Sequence, residues 1–256
     1  MSRALAIYRR ELAYFFHTPV AYAVITAFLV LAGWFFYNLL GYFNLASIQT
    51  MQNPLQARQL SLTASVVQPL FGNLSVVILF ILPALTMRLL CEERRSGTAE
   101  LLFTWPISDW DAILGKFFAT VTVLAVMLAM TAVYPALLFR FASPEPGPLV
   151  SGYLGLLLMG MAFIAMGLFF STIGDNQIVA FVMTLGAGFL FLILGWVVPF
   201  VPETTAAIIV ELSILEHFYG FAQGTIDTND LVYYVNFCAL FLFMSSRVLD
   251  SNRWRA

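Results

Sequence analysis

The sequence predicts an all-α polytopic membrane protein with six transmembrane helices, on three observations. First, 61% of its 256 residues are hydrophobic and only 10% are charged, against roughly 25% charged residues in a soluble globular domain. A chain so poor in charge cannot cover its own surface without exposing adhesive apolar patches. Second, six apolar runs approach or exceed the roughly 20 residues a helix needs to cross a bilayer: 20–40, 70–90, 113–139, 149–171, 177–201 and 231–246. Third, the cations fall on one side. Positively charged segments are retained in the cytoplasm, and with both termini there, Arg3, Arg9, Arg10, Arg88, Arg94, Arg95, Lys116, Arg247, Arg253 and Arg255 lie inside. Only Arg58 and Arg140 lie outside. The connection 202–230 holds Glu203, Glu211, Glu216, Asp227 and Asp230 without a single Lys or Arg, which agrees with an external position.

Residues 1–18 come before the first span. Arg3, Arg9 and Arg10 are set among Leu5, Ile7, Leu12, Tyr14, Phe15 and Phe16, the pattern of an amphipathic elbow helix lying among lipid headgroups. Pro19 marks the bend into the bilayer. The first apolar run is too long for the core of a cleavable signal peptide and is expected to stay in the membrane. Cys91 and Cys238 fit neither a disulfide framework nor metal-ligand spacing and read as small apolar residues. The whole chain, 1–256, is expected to form one transmembrane domain, with no nucleic-acid partner and no metal site.

Within the external connection, 204–224 is too apolar for a solvated loop and predicts short re-entrant or interfacial helices. Irregular backbone at membrane depth survives only inside protein or beside a watery cavity. Glu211, Glu216 and His217 are the acid and histidine cluster on this side. They admit two readings: a general acid/base group or half a metal site, or a solvated, helix-capping set with no second His or nucleophile nearby. An integral-membrane enzyme would need such groups to converge. A channel or proton-coupled transporter would need charge within the spans, and they offer almost none. Gly155, Gly160 and Gly167 in the fourth span and Gly186, Gly188 and Gly195 in the fifth let helices approach closely.

The most informative segment is 91–116, CEERRSGTAELLFTWPISDWDAILGK. Glu92, Glu93, Arg94 and Arg95 directly follow an apolar span, and Gly97 permits a turn. Residues 98–105 suit a short helix with Leu101, Leu102 and Trp105 on one face, ended by Pro106. Ser108 and Asp111 then have the spacing of a capping box opening the third span. A capped, charged cytoplasmic helix offers a soluble partner apolar knobs and register-setting charges. An ordinary interfacial loop of mixed charge has the same composition.

This segment resembles the signature of type-two ATP-binding-cassette (ABC) exporter permeases, in which charged residues precede Gly-Thr, Glu-Leu-Leu, Pro and Gly-Lys. The matching residues are Glu92, Glu93, Gly97, Thr98, Glu100, Leu101, Leu102, Pro106, Gly115 and Lys116. Along the whole chain, RRELAYFFHTPVAY, FILPALTMRLLCEERRSGT, LEHFYGFAQGTIDTNDLVYY and RVLDSNRW resemble the permeases associated with bacterial gliding motility. The resemblance implies that 92–105 is a coupling helix seated in a groove of a separate ATPase subunit. It further implies a six-span half-transporter that pairs with a second copy or a related permease, two ATPase subunits, an accessory envelope protein and residence in the bacterial cytoplasmic (inner) membrane. The first and fifth spans would line the dimer seam, with Gly186, Gly188 and Gly195 available to it.

On that resemblance ATP and Mg belong to the partner, and this chain is not an enzyme. The sequence agrees: Gly115 and Lys116 are the Gly-Lys pair, but Trp110 stands where the first glycine of a phosphate-binding G-x-x-x-x-G-K loop is required. Lys116 is expected to snorkel to headgroups at the cytoplasmic edge.

Overall fold

Helix boundaries follow local chemistry in the computed structural model, which describes residues 3–52, 61–92, 108–141 and 144–253. Helix α1 (Arg3–His17) buries Ile7, Glu11 and Phe15, one residue per turn, so one stripe faces the bundle. Helix α2 (Pro19–Gln52) begins on a proline, whose fixed φ suits a first helical turn. It runs 34 residues, about 51 Å at 1.5 Å per residue, against a hydrocarbon core of about 30 Å. It outruns the expected 20–40 because residues 41–52 contain no proline and no charge to stop it. No side chain from 37 to 49 is buried.

A single π turn, Thr63–Val67, leads into α3 (Gln68–Thr86). The expected third span is broken: α4 (Asp109–Thr131) ends one residue before α5 (Val133–Phe141). Pro135 explains the break, because it lacks the N–H that would bond the Thr131 carbonyl and its ring crowds that carbonyl. Thr131 also turns its hydroxyl to the Leu128 carbonyl at 2.7 Å and to the Tyr153 hydroxyl at 3.1 Å. At the other end of α4, the expected capping box is absent. Ser108 is the N-cap, but its side chain makes no capping bond, and its carbonyl accepts the Asp111 amide at 2.9 Å instead.

Helix α6 (Pro146–Ile173) is the most enclosed span and touches α3, α4, α7, α9 and α10. It carries no charge, and its glycines allow this crowding: a Cβ on Gly152 would run into the Phe71 ring of α3, and one on Gly160 into Leu124 of α4. Asn176 caps α7 (Gln177–Val197) by accepting the Ile178 amide at 2.9 Å. After the 3-10 turn Val198–Phe200 come α8 (Glu203–Leu212) and α9 (Ile214–Gln223), bent by 74° at Ser213. Gly224, at φ 98°, ends α9 in the left-handed region that a side chain disfavours. Helix α10 (Thr228–Arg253) closes the described chain.

Among the described residues, six helical stretches are long and apolar enough to cross a membrane: Pro19–Gln49, Thr63–Thr86, Asp109–Arg140, Pro146–Ile173, Gln177–Phe200 and Thr228–Ser251. The molecule is an all-α, multi-pass membrane protein.

Candidate functional site

The first candidate site is the place where α3 ends and the charged segment begins. Of the residues expected to grip a partner, Glu92 is described; Glu93, Arg94, Arg95, Gly97, Thr98, Glu100, Leu101, Leu102, Trp105 and Pro106 lie outside the described residues. What is described is the mounting at each end of that segment. On one side, the C-terminal turn of α6 holds it. The Ser171 hydroxyl accepts the Leu90 and Cys91 amides at 2.9 and 3.2 Å, and the Cys91 thiol reaches the Gly174 carbonyl at 3.0 Å.

The opposite side is held by α1. Lys116 Nζ donates to the Leu89 carbonyl at 2.6 Å and to Glu11 Oε1 at 3.0 Å. Tyr14 donates its hydroxyl to Glu92 at 3.0 Å. The Arg88 guanidinium lies over the Tyr14 and Phe15 rings, 5.1 and 4.9 Å from their centroids. Among the described residues its Nη2 meets no hydrogen-bond partner. Helix α1 thus fastens Arg88 and Glu92 directly, and Leu89 through Lys116 of α4, which pairs with Glu11. The approach is close: a Cβ on Gly115 would sit 2.8 Å from Ile7.

Lys116 corrects the sequence reading. It does not snorkel to headgroups but is 1% exposed inside the protein. A lysine is almost never fully buried unless paired, and here a carboxylate and an open-turn carbonyl replace its water. Burial alone pushes the Glu11 carboxyl up, but Lys116 and Arg10 together outweigh it and hold the group below its ordinary range. The hydrogen bond to Glu92 raises the Tyr14 phenol. The sequence contained the signal: Glu11 is the sole acid before Glu92 and sits on the apolar stripe of its helix, and Lys116 is the sole lysine.

The cluster of Glu211, Glu216 and His217 assembles differently from its expected form. His217 is buried, with Nδ1 2.7 Å from Asp230 Oδ1 and Nε2 3.2 Å from the Glu211 main-chain carbonyl. Glu211 thus contributes its backbone while its side chain is exposed, and the Glu216 carboxylate lies beside Gly195 of α7. The acid that meets the imidazole is Asp230, in the first turn of α10. Tyr233 stacks on the ring at 3.9 Å between centroids. Its hydroxyl donates to the Leu212 carbonyl at 2.9 Å, and the Tyr234 hydroxyl donates to the Ile214 carbonyl at 2.9 Å. The Glu211 and Leu212 carbonyls, left without helical partners where α8 ends at the 74° bend, are therefore met by side chains. Sequence reading missed these partners because they lie 13 to 21 residues from the groups they serve.

The three glycines assigned to a dimer seam separate. A Cβ on Gly188 would meet Leu79 at 2.5 Å, and one on Gly195 would meet Glu216 at 2.9 Å, so both serve packing within the chain. Gly186 has open space around it. The faces of α2 and α7 are the least enclosed of all spans, with Trp34, Tyr37, Val182 and Leu190 more than half exposed.

No curated protein matches the chain. The ABC-2 family transporter protein profile matches residues 36–244, from the second half of α2 through most of α10. A match of that extent, on six membrane-crossing helices, shows that the chain belongs to the ABC-2 family of transporter membrane proteins.

Proposed function

We propose that this permease is driven by a separate ATP-hydrolysing subunit that grips residues 92–105 from the cytoplasm. The observation that supports this most is the mounting of residues 88–92: α1 holds Arg88 and Glu92, Lys116 of α4, paired with Glu11 of α1, holds Leu89, and α6 holds Leu90 and Cys91. A segment pushed by a partner transmits force only if its ends are fastened to the bundle, and the bonds at Leu89, Leu90, Cys91 and Glu92 do that fastening. Two permease copies with two ATPase subunits would form the assembly, with ATP and Mg held by the partner. The least enclosed spans, α2 and α7, supply the open apolar faces that pairing requires. We place the complex in the bacterial inner membrane with both termini cytoplasmic, and in the gliding-motility-associated group with an accessory envelope protein, on the sequence resemblance.

The geometry favours this over a membrane enzyme. Both ring nitrogens of His217 face oxygens of the same chain, so neither is free to act on a substrate or bind a metal. The test is co-purification. Leu101→Asp with Leu102→Asp, or Glu100→Arg, should release an associated ATPase while the six-span core still folds. An unchanged pull-down and unchanged ATPase stimulation would overturn the assignment.

A further inference from the structure

From the two oxygens that face its ring, we infer that His217 is a proton-operated latch fastening α8 to α10, closed when the imidazole carries two protons. A neutral imidazole has one N–H and one lone pair. Here Nδ1 meets a carboxylate oxygen at 2.7 Å and Nε2 meets a carbonyl oxygen at 3.2 Å. Neither oxygen can donate, so a neutral ring satisfies one contact and turns a lone pair on the other. The doubly protonated ring satisfies both.

The placement of charge agrees. The Glu211 carbonyl belongs to the last turn of α8, where carbonyls lack helical partners and a cation is favourable. Asp230 lies in the first turn of α10, where an anion is favourable. Protonated His217 and ionised Asp230 thus each sit at the helix end that prefers them. The surroundings supply little else that titrates. From α8 only the Glu211 carbonyl reaches the ring, with Glu203 at the far end. From α10 come Asp230, Tyr233 and Tyr234, and on α9 itself Glu216 turns to Gly195. Helices α3, α6 and α7, which also pack on α9, contain no charged residue.

Releasing the latch would matter because, beyond its packing beside α7, α8 has little other hold. It has no buried residue, and its C-terminal end is where His217 and Tyr233 grasp it. Closing the latch at low pH and opening it as pH rises would regulate how firmly the α8–α9 pair seats on the bundle. This conclusion does not depend on a partner ATPase.

Hydrogen exchange on the full chain in phospholipid nanodiscs tests it, with rates corrected for their intrinsic pH dependence. Histidine is the side chain whose ordinary titration spans about pH 5 to pH 8, and this chain has two, His17 and His217. Protection of 203–223 should fall roughly tenfold or more across that range, the equivalent of one charge-assisted hydrogen bond. His17→Gln should keep that fall, and His217→Gln should remove it. A wild-type profile flat in pH, a loss spread evenly over all helices, or a His217→Gln profile with the wild-type slope would overturn the latch. If His217→Gln does not fold, the wild-type and His17→Gln profiles decide: a local fall in both supports it, and its absence in either overturns it.

Discussion

The Lys116 ammonium is sealed 3.0 Å from the Glu11 carboxylate, joining α1 to the first half of α4. Both side chains are nearly inaccessible, at 2% and 11%. Removing Glu11 leaves the Lys116 ammonium buried without its carboxylate, which costs about 3–5 kcal/mol, whereas Glu11 without Lys116 keeps Arg10 at 2.8 Å. Glu11→Gln should lower stability on that scale and Lys116→Met by less, read by denaturation in detergent. The double variant Glu11→Leu with Lys116→Met should recover most of it. Single variants as stable as the parent would show that the pair contributes nothing.

The same pair predicts an acid limit. Glu11 ionises more readily in the folded chain than its ordinary value of 4.5. A carboxylate depressed by folding contributes stability that is complete above its unfolded value and is lost as pH falls through the lower folded value. Thermal unfolding below pH 4.5 should therefore steepen in the parent chain and flatten in the double variant.

Ser171 tests the other side of the mounting. Its hydroxyl receives two buried amides, from Leu90 and Cys91. Ser171→Ala leaves them without that acceptor, at about 1–3 kcal/mol for an unsatisfied buried group. Faster hydrogen exchange at residues 88–92 should accompany the loss. Unchanged exchange there would mean that α6 does not hold the segment.

Gly186 and Gly188 stand two residues apart and predict opposite outcomes. Gly188→Ala pushes a methyl against Leu79 and should cost about 1–3 kcal/mol by overpacking. Gly186→Ala enters open space and should stabilise by up to about 1 kcal/mol through helix propensity. Gly186→Trp should leave the monomer fold intact and weaken self-association in native electrophoresis if α7 forms a seam between copies. Unaltered association would exclude Gly186 from that seam.

Much of the fold was legible because hydrophobic length and charge distribution are local properties. Apolar runs of sufficient length near Val20, Leu70, Ile113, Leu149, Gln177 and Leu231 dictate spans whatever they pack against, since lipid forces each backbone to satisfy itself as helix. The break at Ala132 was legible too, in Pro135, but was passed over because hydropathy continues across it. Proline alone also does not say whether a helix kinks, breaks or tolerates the ring.

The tertiary structure decided which polar groups meet. From the sequence, Lys116 belonged to the lipid edge and Glu211, Glu216 and His217 belonged together. In the fold Lys116 belongs to Glu11, 105 residues away, and His217 to Asp230. The physical reason is that burial makes an unpartnered charge or bent carbonyl expensive, and the partner that relieves it comes from whichever helix packs alongside. Chain order does not contain that adjacency. The sequence by itself determined six spans and the family signature at 92–116; the packing of α1 on α4 and of α9 beside α10 decided which residues work together at either end of the molecule.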